Sequence, residues 1–84
     1  MKQVKSHEIL RSGFLKDGRF YSIEAGRLKG GEWGAWIVCV PGQTGALGDE
    51  SLTVKTADRK ELLRRWVKDL AESDIEGLAE THCA

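Results

Sequence analysis

Net charge, histidine, cysteine and long apolar runs are all scarce in this 84-residue chain. Thirteen Lys and Arg offset thirteen Asp and Glu, so the formal charge is zero and a generally basic coat for nucleic acid is excluded. No run approaches the ~20 apolar residues of a membrane-spanning helix, and Met1–Glu8 carries charge with no apolar core behind it, so neither a span nor a signal peptide is expected. The two cysteines, Cys39 and Cys83, make no disulfide framework; they are expected as reduced thiols in a cytoplasmic protein.

The same scarcity limits chemistry. His7, His82, Cys39 and Cys83 are the soft metal ligands available, and none shares a CxxC or HxxxH spacing with another. A GxSxG elbow is absent and both histidines lie near the ends, which leaves no base for a serine or cysteine nucleophile. Tyr21 with Glu24, and Asp49 with Glu50, read as a core tyrosine and surface carboxylates rather than acid and base. Gly42, Gly45 and Gly48 leave backbone amides open to an anion, but Asp49-Glu50 follows where a phosphate loop needs Lys-Ser or Lys-Thr and a helix. No cofactor, metal or catalytic residue is therefore expected, and the chain is read as non-enzymatic.

The longest apolar run is Glu32–Pro41, in which seven of ten residues are apolar. It is too short for an independent helix and rich in β-branched and aromatic side chains, so it reads as a central strand buried on both faces. Asp17-Gly18 signals a type I′ hairpin into Arg19–Ala25, and Lys29–Glu32 signals a second reversal, which together predict an antiparallel meander. The first twelve residues fit either a short helix capped by Ser6 or an extended lead into Gly13–Lys16. Residues 41–50 read as a loop, and Ser51–Lys55 alternates as an edge strand with Leu52 and Val54 inward.

The period then changes. Thr56 or Asp58 can cap a helix with Glu61 in capping-box register, and Leu62, Leu63, Trp66, Val67, Leu70 and Ala71 recur at helical spacing. One long amphipathic helix, about Asp58–Glu72, is predicted, with Ser73 and Glu76 marking a short second helix over 74–80. The fold class is therefore α+β: one domain, residues 1–84, with a meander of three to four strands and a C-terminal helix on one face. A chain this short buries roughly 60–65% of its unfolded surface, and a partner subunit would help it.

Two function classes remain. Lys60, Arg64 and Lys68 follow each other at i, i+4 along one helix flank, a ribbon able to contact nucleic-acid phosphates or simply to be solvated. Residues 1–42 carry seven basic and four acidic side chains, residues 43–84 six and nine, an asymmetry that reads as solvated surface. The layout of a meander, Gly30-Gly31-Glu32-Trp33 entering the central strand, Val40-Pro41-Gly42 and a helix from Thr56 resembles small antitoxin domains of the HicB type. That resemblance implies a partner-binding regulator, although Val54–Asp58 stands where a Gly-Asp-Thr step would precede the helix.

The second class is protein interaction. Tyr21, Ile23 and Ala25 share one face of their strand, but the central strand puts Trp33, Ala35, Ile37 and Cys39 on one side and Trp36, Val38 and Val40 on the other. One helix cannot cover both. The expected contact surface, drawn from Trp33, Trp36, Ile37 and Val38, would bind a second copy of the chain or another protein. The competing reading closes that face with the chain's own ends, through Val4, Ile9 and Leu10 or through Ile75 and Leu78.

Overall fold

A computed structural model describes residues 8–40 and 53–83. Strands β1 (Glu8–Phe14), β2 (Phe20–Arg27), β3 (Trp33–Val40) and β4 (Lys55–Ala57) precede helices α1 (Lys60–Lys68) and α2 (Glu72–His82). The strands form one antiparallel sheet in the order β1-β2-β3-β4, and the class is α+β. The N-terminal segment thus resolves as strand from Glu8 onward.

Both hairpins use the same turn. Leu15 N–H donates to Arg19 C=O (2.8 Å) and Gly18 N–H to Leu15 C=O (3.0 Å); Leu28 and Glu32 (2.7 Å) and Gly31 and Leu28 (2.9 Å) repeat the pattern. Gly18 and Gly31 have φ of 94° and 95°, whereas among the described residues no non-glycine has positive φ. The predicted type I′ turn, which needs positive φ at Asp17 as well, is therefore replaced by a three-residue loop with its left-handed position on glycine. The repeated Leu-Lys-x-Gly spelling of both turns supplies that glycine where it is needed. Asp17 holds the first turn from outside, accepting from Arg19 N–H (3.0 Å) and Arg19 Nε (2.9 Å).

The eight-residue β2–β3 ladder sorts the side chains. Tyr21 pairs with Cys39, Ile23 with Ile37, Ala25 with Ala35 and Arg27 with Trp33; both helices pack on this face. Leu63 and Val67 of α1 and Ile75 and Ala79 of α2 close the core over it. A register irregularity in β1 between Ile9 and Arg11 lets Leu10 join that core as well.

Several expectations need correction. Among the described residues β4 is Lys55–Ala57 and runs past the expected end at Lys55: Trp33 takes Ala57 and Ala35 takes Lys55 as partners, and Ala57 packs against Ala25, Ala35 and Leu63. Val54 donates to Ala35 C=O (2.8 Å) just ahead of it, while Ser51 and Leu52 fall outside the described residues. Strand pairing thus takes Thr56, and the helix starts after Arg59 with no side-chain cap, not at Thr56 or Asp58.

The long helix stops at Lys68, four residues short of the expected Glu72, and the second helix, expected over 74–80, extends over Glu72–His82. The Arg11 guanidinium reaches across from β1 to donate to Val67 C=O (3.2 Å) and Leu70 C=O (2.8 Å), satisfying carbonyls that a continuing helix would use. At the next residue, Ala71 N–H donates to the Asp74 carboxylate (2.9 Å), starting α2 earlier than the Ser73–Glu76 pattern suggests.

The cysteines are not free thiols. Cys39 and Cys83 are joined in a disulfide, both buried, 44 residues apart in sequence and 5.9 Å apart at Cα. Cys39 sits in the helix-side row of β3, and α2 carries Cys83 back onto it. Such bonds persist in oxidising surroundings and are rare where thiols are kept reduced, so the structure lends no support to a cytoplasmic location. Among the described residues, no helix is long and apolar enough to cross a membrane.

The turn geometry makes a paired test. A Cβ on Gly18, Gly30 or Gly31 would meet nothing within 4 Å, so any cost is conformational. Gly18→Ala and Gly31→Ala should each lose about 1–2 kcal/mol in urea titrations, whereas Gly30→Ala, whose φ is not positive, should lose nothing.

Candidate interaction surface

The alternation that fills the core sends Phe20, Ser22, Glu24, Trp36, Val38 and Val40 to the opposite face. Register aligns Phe14 with Phe20 and Phe20 with Val40, a row of apolar side chains across three strands. Phe14 is 75% exposed and Val40 55%, with Phe20 exposed between them; Ile9 is exposed farther along β1, opposite Glu24. The Phe14 and Phe20 rings meet edge to face at 5.5 Å, a favourable aromatic geometry that stiffens the row without hiding it.

Behind this row the face becomes polar and then closed. Ser12 pairs with Ser22 and Ser22 with Val38; Ile9 pairs with Glu24 and Glu24 with Trp36. Ser22 Oγ donates to Glu24 Oε2 (2.9 Å), and both residues are buried, as a polar pair can be when it is hydrogen-bonded. Apart from Ile9, the exposed apolar side chains described on this face thus lie at the end of the sheet that holds the first hairpin.

The structure separates the four residues expected to form an interface. Ile37, 1% exposed, belongs to the helix-side core, where it touches no outside surface. Trp36 is on the open face but only 4% exposed, and Val38 is half-buried beside it. Trp33 turns to the helix side and is half-buried, with the Arg27 guanidinium and the Lys60 ammonium each 5.3 Å from its ring. Phe14, Phe20 and Ile9 were missed as site residues. For Phe20 the signal was present, since Tyr21, Ile23 and Ala25 inward puts it outward.

The basic helix flank is largely occupied at home. Lys60 Nζ lies 2.9 Å from Glu8 Oε1 and Arg64 Nη2 3.0 Å from Glu8 Oε2, so one carboxylate on β1 pairs with two members of the ribbon and offsets one of their two charges. Lys68 is exposed and lines, with Arg11 and Arg64, a groove of about 600 Å³ between β1 and α1. Arg11 is itself spent on helix carbonyls. This arrangement anchors the helix to the sheet edge and leaves less charge for phosphates than the spacing implied.

The described residues contain no cluster of three or more His, Cys, Asp or Glu side chains able to hold a metal ion, and the glycine-rich segment 42–48 lies outside them. In comparisons with known proteins the chain matches no family model, no curated protein and no solved structure.

Glu8 carries a pH test. Hydrogen bonds from Lys60 first and Arg64 second hold its carboxyl below the ordinary 4.5. A depressed folded-state pKa stabilises above the unfolded value, and that contribution is lost as pH falls through the folded value. The urea midpoint of the wild type should exceed that of Glu8→Gln at neutral pH, and the gap should close as the pH drops below 4.5.

Proposed function

We propose that this chain is a non-enzymatic interaction module whose working surface is the sheet face turned away from the helices, with a second copy of the chain as its first partner. One observation carries the reading: Phe14, Phe20 and Val40 form a register-aligned apolar row that stays exposed, while the other described residues of the face, Ile9 apart, are polar or at least half-buried. Phenylalanine offers large contact area with little side-chain freedom to lose, and aromatic residues are enriched at interface centres.

A row that runs across the strands suits association about a two-fold axis, because the same patch then meets itself and every contact is made twice. Ser12 and the half-buried Val38 lie next to the row and would form its border. The surface is thereby shifted from Trp36 and Ile37 toward the first hairpin. Nothing in the placement of Lys60 and Arg64 favours nucleic acid as the main partner, since both contact Glu8.

Sedimentation velocity from micromolar to millimolar protein tests this. The wild type should shift toward a dimer as concentration rises, and Phe14→Glu should remain monomeric with unchanged thermal stability, because that side chain adds little to the core. A wild type that stays monomeric throughout, or a Phe14→Glu protein that dimerises equally well, would overturn the second-copy reading.

A further inference from the structure

Helix α2 is poorly built to stand alone. Its eleven residues, Glu72–His82, fall short of the ~12–15 at which isolated helices become even marginally stable. Glu72, Glu76 and Glu80 follow one another at i, i+4, so like charges face each other twice along one side, and Glu80 adds an acid in the C-terminal half where the helix dipole disfavours it. Gly77 sits in the middle and lowers propensity further.

Its grip on the sheet is correspondingly slight. Ile75 and Ala79 are buried and Leu78 partly so; Lys16 N–H donates to the Glu76 carboxylate (2.8 Å) and the Arg19 guanidinium to Cys83 C=O (3.0 Å). Helix α1 holds by more: Leu63 and Val67 fully buried, Trp66 against the core with Leu70 just past the helix end, and ties from Arg11 and Glu8. The one strong link of α2 is covalent, from Cys83 directly after its last turn to Cys39 in the sheet.

We propose that the Cys39–Cys83 bond is a redox latch, and that α2 stays folded on the sheet only while the bond is closed. An external dithiol supplies two electrons and two protons, the sulfur–sulfur bond becomes two thiols, and the dithiol becomes a disulfide. Helix α2 then detaches, and the Tyr21–Cys39 row, with Leu15, loses its cover, while α1 and the sheet persist. Because both cysteines are buried, the reductant gains access only when the C-terminal end of α2 opens, so the rate of reduction should saturate with dithiol concentration.

Hydrogen exchange read by mass spectrometry on the full chain, before and after reduction, tests the latch, with thiols counted by alkylation. In the oxidised protein no thiol should be alkylated. After reduction the amides of Glu72–His82 should exchange at least tenfold faster, while those of Phe20–Arg27, Trp33–Val40 and Lys60–Lys68 keep their protection. Gly77→Ala with Glu80→Lys, which adds helix propensity in open space and pairs residue 80 with Glu76, should restore protection of α2 in the reduced protein. Two alkylatable thiols in the protein before reduction, an α2 equally protected after it, or loss of protection in every element together would overturn the proposal.

Discussion

The register of β2 on β3 is the constraint from which the rest of the structure follows. Eight pairs, from Phe20 with Val40 to Arg27 with Trp33, place every odd-numbered side chain of both strands under the helices and every even-numbered one on the other face. A slip by one residue would drive Ser22, Glu24 and Trp36 into the space now filled by Ile23, Ala25 and Ile37. The two hairpins protect that register from each end, because each turn closes on a glycine with positive φ and admits a single loop length.

The helix side is assembled from long-range ties rather than from helix strength. Arg11 ends α1 by taking its last carbonyls, Glu8 clamps its first two turns through Lys60 and Arg64, and the disulfide brings the end of α2 back to β3. Charged side chains that look like exposed surface in the sequence therefore have structural partners. A small domain with little core to bury gains proportionally more from each such tie. Among the described residues neither helix lies on the opposite face, and its exposed aromatic row marks where their packing is least complete.

Local signals were legible and distant ones were not. The alternation of Tyr21, Ile23 and Ala25, the run Trp33–Val40 and the periodic Leu63–Trp66–Val67 set placed three strands or helices near their observed positions. Both reversals were located, though the first was assigned the wrong turn type because Asp17 was credited with a φ that only Gly18 adopts. The Ser73–Glu76 pattern marked a second helix, but the stop at Lys68 rather than Glu72 goes with an arginine 56 residues upstream of Val67, and the disulfide with a cysteine 44 residues from its partner; no window of local pattern contains either. The site was only partly readable for a related reason: β3 is apolar on both faces, so strand alternation separated Trp33 and Ile37 from Trp36 and Val38 without saying which side the helices cover.

The sharpest test of this division is residue-resolved NMR with a soluble paramagnetic probe added to the protein at low concentration. The account predicts strong broadening of side-chain signals from Ile9, Phe14 and Val40, and almost none from Ile23, Ile37, Leu63 and Val67. Broadening of Ile23 and Ile37 with protection of Phe14 and Val40 would contradict the register, and with it the assignment of a covered and an open face.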